Sequence, residues 1–478
     1  MSALKAGGTA ASKPLGPWRV ESWFGDSESG TRANLFALLI VVALGLFLVV
    51  KAESRSPTSN DALYLYGVAV TSIVLLQMAI AFSRYRDPAC VALVDLAERA
   101  PDWRMSGPLV ACLVAVHNEE AIIGDCVRSL AEQTYANTQV VVIDDASTDG
   151  TLAVLRRLEE QHEITVISLP ANVGKKAALA HAVALTDASI LAFTDSDSLW
   201  APDALERAVA VFVADGDVGA LSGHCRALNA DKNLITKVQD SWYEGQFSVR
   251  KAFESAFGCV SCVSGPFAAF RREAIFNYMP AWTHDRFLGQ PFRFATDRTL
   301  TGFVLGSRAS GPQILDRYAG SSFLDERYAS RYWKVVYAKS VRAHTQVPDS
   351  FPRLVKQQVR WKKSFVRNIF FTGRFYWRKP LPAALVYYLH IAFVLLGPLV
   401  AFRHLIYAPM HGNLGSGLLY LFGIILVGSM FGLAQWREEP DSRRWAYRPL
   451  MSLLSTLLLS WLLVYALLTI KRMTWVRG

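Results

Sequence analysis

The distribution of apolar residues constrains this chain more than any other feature. Residues 33–50 and 62–82 are nearly uncharged runs, close to the roughly 20 residues that cross a bilayer as a helix. Apolar runs return at 383–401, 415–434 and 450–470, after a long region of mixed composition. A 52% hydrophobic and 19% charged composition follows from that layout. The pattern is that of an integral membrane protein with a large soluble insert.

Charge sets the expected orientation. Lys5, Lys13, Arg19 and Arg32 precede the first run, and Arg84 and Arg86 follow the second. Lys51 and Arg55 lie between the two, beside Glu53 and Asp61. The positive-inside rule therefore puts the N-terminus and the insert in the cytoplasm. About thirty polar residues precede the first run with no clear cleavage site, so a cleaved signal peptide is not expected. Residues 1–30 are Gly/Ser-rich and are expected to be mobile. The net charge of +10 suits anionic lipid headgroups and equally an anionic substrate. No nucleic-acid module accompanies it, so no nucleic-acid partner is expected.

Within the insert, apolar runs at 109–116, 139–143, 164–168 and 189–193 alternate with helical patterns at 119–133, 149–161 and 175–186. That alternation predicts a parallel α/β sheet. Polar residues gather just past the strands: His117-Asn118-Glu119, Asp144-Asp145 and Asp195-Ser196-Asp197. Open α/β sheets bind ligands at that edge. Asp195 and Asp197 can reach a hard cation, Mg²⁺ or Mn²⁺, bridging a sugar-nucleotide diphosphate. A lone D-x-D is more often a solvated turn; the strand before it and VVVIDDASTDGT (140–151) upstream favour the functional reading. In that segment Thr148 or Asp149 is expected to cap the next helix, whereas Asp144 and Asp145 repel unless something pairs them. LPANVGKKAALA (169–180) sets a glycine before a helix start, with Lys175 and Lys176 placed for a phosphate.

Residues 234–257 and 351–377 read as amphipathic, aromatic-rich helices, the second strongly basic. Both suit the membrane interface, with rings at headgroup level. Packing against the sheet stays open for 234–257. GCVSCVSGPFAAFRREA (258–274) carries a C-x-x-C pair in a chain with six cysteines. Zinc needs four ligands and no second pair completes the set. A redox pair is disfavoured in a cytoplasmic segment.

Taken together, LVAVHNEE, VVVIDDASTDGT, NVGKKAALAHA and FTDSD resemble the GT-A fold of family-two inverting glycosyltransferases. FATDRTLT (294–301) resembles the acidic base motif of processive membrane synthases, and QQVRW (357–361) their Q-x-x-R-W. The likeness is nearest to hyaluronan synthases, carried by the 258–274 segment, QQVRWKKSFVRN and the terminal LLTIKRMTWVRG. Chitin and nodulation-type chitin-oligosaccharide synthases share much of it. The resemblance spans about residues 30–478.

It implies an α/β fold in which a cytosolic, Rossmann-like GT-A domain is inserted between transmembrane helices, with amphipathic interfacial helices. The expected segments are 1–32, a flexible cytosolic N-terminus; 33–82, two transmembrane helices; 83–350, the transferase domain; 351–381, the Q-x-x-R-W helix; 382–435, two further spans; and 436–478, a membrane-associated segment with a gating motif. By resemblance, Asp297 is the general base. His117 and Asp145 hold the uracil, and Lys175, Asp195, Gln357, Arg360 and Arg298 serve the donor. Asp197, with Asp195, ligates Mg²⁺ or Mn²⁺. Cys262 and Trp361 meet the acceptor, Ser264-Gly265-Pro266 shape a turn against the sugar, and Cys259 only packs. Trp475 and Arg477 belong to a gating loop.

Two departures stand out. Thr296-Asp297-Arg298 offers one carboxylate where many hyaluronan synthases have two, and Val476 replaces a common threonine. Five crossings from a cytoplasmic N-terminus would put Trp475 and Arg477 outside, away from UDP. Arg437, Arg443, Arg444 and Arg448 place the loop before the fifth run inside. Residues 449–470 are therefore expected not to cross simply, leaving four spans and a chain that stops at Gly478 without another helix.

The leading expectation is a multi-pass plasma-membrane synthase with a cytoplasmic catalytic domain. It would polymerise UDP-GlcNAc and UDP-GlcA into hyaluronan and export the chain through the bilayer. A chitin or chitin-oligosaccharide synthase using UDP-GlcNAc alone is the alternative. A non-catalytic binding or export protein with a degenerate transferase domain is a third reading, opposed by the intact motifs.

Overall fold

A computed structural model of the chain describes residues 61–328 and 330–472. The expected first span, the N-terminal segment and the Trp475/Arg477 motif lie outside the described residues.

Four apolar runs of the insert form β1 (Val110–Val116), β2 (Thr138–Asp144), β3 (Ile164–Ser168) and β4 (Ile190–Thr194). Every residue of β1 and β4 is buried, as expected of a parallel sheet covered on both faces. The sheet continues through β5 (Ser198–Trp200), β6 (Val218–Ala227), β7 (Ala268–Arg271) and β8 (Lys334–Thr345). Its eight strands run in the order β3-β2-β1-β4-β7-β6-β8-β5. β3, β2, β1 and β4 are mutually parallel, and β7 is antiparallel to both β4 and β6. This is the GT-A architecture that the motifs imply.

The strand order reverses between β1 and β4, the switch point at which such sheets hold ligands. Register aligns the edge there: Val116 pairs with Asp144, Asp144 with Ser168, and Val114 with Thr194. His117, Asp145 and Asp195 thus leave the sheet side by side. Successive β1 residues feed separate cores, Leu113 on one face and Val114 on the other.

Helix α1 (Asp61–Ser83) precedes the insert, and α2 (Lys175–Ala184) follows β3. α3 (Leu234–Gly245) continues through a π-helical stretch, Gln246–Lys251, into Ala252–Ser255. α4 (Thr296–Arg317) and α5 (Phe351–Phe371) complete the insert's long helices. Three stretches among the described residues are long and apolar enough to cross a bilayer: Tyr66–Arg99, Leu381–Met410 and Leu414–Glu438. They take in most of α1 and all of α6 (Leu381–Phe402) and α7 (Leu414–Glu438). Beyond them Arg444–Leu459 and Leu462–Leu468 meet at a 43° bend. The chain is a membrane protein.

Ion pairs join the sheet to this apolar set. Arg226 of β6 grips Asp240 of α3 through Nε (3.0 Å) and Nη2 (2.7 Å), and it also bonds Glu439 just past α7. Arg444 reaches the same Asp240 (2.7 Å). α3 is therefore held between β6 and the end of α7. Its Tyr243 is buried, and Trp242 packs against two cores. Of the two placements left open for this helix, the bonds of Asp240 and Ser241 to β6 and α7 support packing against protein.

Candidate active site

A cavity of ≈ 410 Å³ opens where β4, β6, α3, α4 and α5 converge. Asp195 and Asp197 enter it directly from β4. Opposite them stands the Ser264-Gly265-Pro266 turn, whose Pro266 carbonyl accepts from Thr194 Oγ1 (2.8 Å) and Trp200 Nε1 (2.7 Å). A Cβ on Gly265 would lie 2.5 Å from Asp195 Oδ2, so only glycine allows this approach. Lys175 opens α2 after Gly174, whose φ of 87° suits glycine, and its ammonium pairs with Asp195.

Burial, then the charge of neighbouring Asp195, pushes the Asp197 carboxyl up to about 6, although Thr345 Oγ1 donates to it (3.1 Å). Burial alone would lower Lys175; the charge of Asp195, backed by Asp197 and Asp297, outweighs it and holds the ammonium above its ordinary value. The carboxylate pair is thus short of positive charge. Two carboxylates that leave the other coordination positions to substrate phosphates suit Mg²⁺ or Mn²⁺. Among the described residues no cluster of three or more His, Cys, Asp or Glu forms a protein-only metal site.

The opposite wall begins at Ala295, held at φ 57° in the left-handed region before α4. Such strain persists only where the surroundings enforce it; here Trp282 Nε1 donates to the Thr296 carbonyl (2.8 Å) and Val263 N donates to Thr301 Oγ1 (3.0 Å). The result aims Asp297, in the first turn of α4, into the cavity. Its Oδ1 accepts from the Arg298 backbone (2.8 Å), and its Oδ2 lies 3.8 Å from Cys262 Sγ. Burial and then Asp297 push the Cys262 thiol up to about 11, which keeps it a neutral donor.

α5 contributes Gln357, Arg360 and Trp361 from one face. Trp361 stacks on Trp242 with ring centres 5.6 Å apart and planes at 24°, and it tilts over Tyr243 at 6.4 Å. Gln357 Oε1 is buried with no donor among the described residues, as an orphan acceptor facing a ligand site would be.

Of the residues singled out from sequence, the fold brings Lys175, Asp195, Asp197, Cys262, Asp297, Arg298, Gln357, Arg360 and Trp361 into one cavity. His117 and Asp145 lie outside its lining, at the adjoining edge of β1 and β2. Asp145 accepts from Val173 N (2.7 Å) and Gly174 N (2.9 Å), and His117 Nδ1 lies 2.9 Å from the Asp145 carbonyl. They shape the loop that delivers Lys175. Asp144 is satisfied likewise by Ser147 N and Ser168 Oγ. Asp149 takes the Thr151 N–H at the expected helix start (3.0 Å).

Lys176 corrects the expectation of a phosphate contact. It is buried against Asp285 Oδ2 (3.0 Å), with Arg367 on the same carboxylate, because adjacent helical residues point about 100° apart. Cys259 is fully buried in the core, as expected of a packing residue.

Sequence reasoning missed the α3 side of the cavity: Trp242, Tyr243, Phe247, Arg250, Lys251 and Glu254. The signal was present in their recurrence every three to four residues. The π-helical stretch from Gln246 helps turn both Arg250 and Lys251 inward, a distortion often found at functional sites.

Residues 112–278 match the family described as Glycosyl transferase family 2. Along nearly its whole length the chain is similar to a hyaluronan synthase of Streptococcus pyogenes, 26% identical over 450 residues covering 92% of this chain and 94% of that protein. An N-acetylglucosaminyltransferase of Mesorhizobium japonicum is 31% identical over 265 residues, covering 55% of this chain and 57% of that one. Among solved structures, a mannosyltransferase from Pyrobaculum calidifontis in complex with GDP-Man and Mn²⁺ covers 81% of this chain and 98% of its own. The identity there is 23% and the TM-score 0.47.

Proposed function

We propose that this chain, whose residues 112–278 match the family-2 glycosyltransferases, is an inverting, processive synthase that extends a β-linked polysaccharide from UDP-sugars. We infer that it makes hyaluronan from UDP-GlcNAc and UDP-GlcA and exports it through its own membrane helices. One observation supports this reading: a single cavity gathers Lys175, Asp195, Asp197, Gln357 and Arg360 with Asp297, Cys262 and Trp361. Groups suited to a nucleotide-sugar donor and to a sugar acceptor thus share one space.

In the proposed reaction the acceptor pyranose lies on Trp361, whose indole face suits an apolar sugar face. Asp297 removes the proton from the acceptor hydroxyl as that oxygen bonds to the anomeric carbon. The bond from that carbon to the diphosphate oxygen breaks on the opposite face, so an α-linked donor gives a β-linkage. Arg360 and Lys175 hold the departing diphosphate as charge develops on it. Asp197 and Asp195 would hold a divalent cation, which when bound offsets charge on the leaving nucleoside diphosphate.

The proposed exit lies toward α6. Arg250, Ser261 and Arg298 of the cavity also border a small void of ≈ 10 Å³ whose far wall includes Tyr387, His390 and Ile391 of α6. The charge pattern puts this domain in the cytoplasm of a multi-pass plasma-membrane protein, with 449–470 not simply crossing. The 43° bend within that segment fits a re-entrant layout and a broken span alike.

The similarity to an N-acetylglucosaminyltransferase favours a second reading, a chitin-type product from UDP-GlcNAc alone. Incubation of the purified, lipid-reconstituted protein with each UDP-sugar alone and with both decides between them. High-molecular-mass product is expected only with both donors; polymer from UDP-GlcNAc alone would overturn the hyaluronan reading.

A further inference from the structure

Lys251 has no role in the chemistry described so far, yet it lines the cavity on the Asp297 side. Its Nζ donates to Ser222 Oγ (2.8 Å) and to Ser264 Oγ, and it sits 4.3 Å over the Phe247 ring. Among the described residues no carboxylate comes within ion-pair reach of it, whereas Lys175 is paired with Asp195 and Lys176 with Asp285. An ammonium has three N–H donors, and two are spent on serine hydroxyls. Burial pulls its pKa down to about 8, more than Cys262, Asp297, Glu254 and Cys225 restore. The carboxylates of Asp297 and Glu254 act on it from beyond ion-pair distance, so a buried cation with no direct anionic partner gains from a ligand that supplies one.

We propose that Lys251 binds the carboxylate of a uronosyl unit and so makes the site accept an acidic sugar as well as a neutral one. Ser222 and Ser264 hold the ammonium in place, leaving its third N–H for the ligand. A sugar with a neutral hydroxymethyl group offers no charge there. The inference rests on the two-donor reading above. The carboxylate belongs either to the incoming UDP-GlcA or to the uronosyl end of the growing chain.

The test compares wild type with K251M and K251R in reconstituted full-length protein. UDP release from UDP-GlcA alone reads the donor arm. Transfer from UDP-GlcNAc to an oligosaccharide ending in glucuronic acid, against one ending in N-acetylglucosamine, reads the acceptor arm. Loss of one charge-assisted contact predicts about a 10- to 100-fold larger fall in kcat/KM for the acidic substrate than for the neutral one in K251M. K251R, which keeps the charge, is expected to recover most of that difference. Selectivity lost in the first arm assigns the carboxylate to the donor, and in the second to the chain end.

Equal losses for acidic and neutral substrates would overturn the proposal. In unmodified protein, methyl glucuronide should inhibit more strongly than methyl glucoside; equal inhibition overturns it without any variant. Polymer from UDP-GlcNAc alone in wild type, with UDP-GlcA unused, would instead remove the two-donor premise. Failure of the premise and failure of the Lys251 assignment are therefore separate results.

Discussion

Replacing Gly265 with alanine tests whether the close approach of the 264–266 turn to Asp195 sets catalytic geometry. The new methyl carbon would stand 2.5 Å from Asp195 Oδ2 and 3.2 Å from its Cγ. Ordinary contact distances begin near 3.5 Å, so a displacement of roughly 1 Å is required. The turn yields poorly, because the Pro266 carbonyl is held by both Thr194 and Trp200. The movement therefore falls on the Asp195 carboxylate and, through its ion pair, on Lys175. A misplacement of about 1 Å in a positioning group lowers turnover on the order of 100-fold. Gly265 does not have the positive φ that would make alanine a backbone problem, so the fold should survive. The assay is UDP release against Mn²⁺ concentration, with thermal unfolding as the control. G265A should show the turnover loss and a raised Mn²⁺ requirement with little change in melting. Turnover within about threefold of wild type would refute the claim that this contact positions Asp195.

Four further outcomes are expected. Asp297→Asn, which keeps shape but removes the base, should reduce UDP release by about 10²- to 10⁴-fold while UDP binding persists, measured by turnover and calorimetry. Trp361→Ala should raise the KM for oligosaccharide acceptors by about 10-fold with a smaller effect on donor hydrolysis, as loss of a stacking surface predicts. Asp197, raised to about 6, must lose its proton to bind a cation. Mn²⁺ affinity should therefore rise about tenfold per pH unit below that value and flatten above it, read by titration calorimetry. Asp240→Asn should cost about 1–3 kcal/mol in denaturant unfolding, because it removes the buried carboxylate shared by Arg226 and Arg444 while Arg226 keeps Glu244 and Glu439 and Arg444 keeps Asp231. Burial alone would raise Asp240, but its bonds to Arg226 and the Ala227 N–H hold it low. Its stabilisation is thus present above the unfolded carboxylate range and disappears as pH falls through the depressed folded value.

The first half of the insert was legible because its signals are local. The expected strands at 109–116, 139–143, 164–168 and 189–193 match β1 to β4 within one residue at each end. The helix expected over 119–133 runs only Ile123–Ala131. Asn118 turns left-handed at φ 55°, and the next residues bond the neighbouring loop instead: Glu119 N to Thr151 Oγ1 and Gly150 N to Glu120 Oε2. β5 to β8 went unread because their pairing is made across the chain. Three-residue β5 and four-residue β7 carry too short a pattern, buried β6 lacks the alternation of a half-exposed strand, and β8 alternates only over Val341–Thr345.

The site divided along the same line. Residues at strand ends or in compact motifs, such as Asp195, Asp197, Asp297 and Trp361, were readable from their neighbours. The α3 wall was not, because aromatics and cations on one helical face suit a lipid surface and a sugar cavity equally well. What separates the two is the opposite face: Gln239, Asp240, Ser241 and Glu244 are all buried. A helix at a lipid surface would send such groups to water. Asp240 meets Arg226 and Arg444, Ser241 donates to Gln435 of α7, and Gln239 donates to the Pro348 carbonyl. These bonds fix one face of α3 against protein, while Trp242 and Lys251 line the cavity. The Lys251 selectivity test therefore also tests the burial of α3: a headgroup-facing lysine would respond to anionic lipid, and a cavity lysine to the acidity of the sugar.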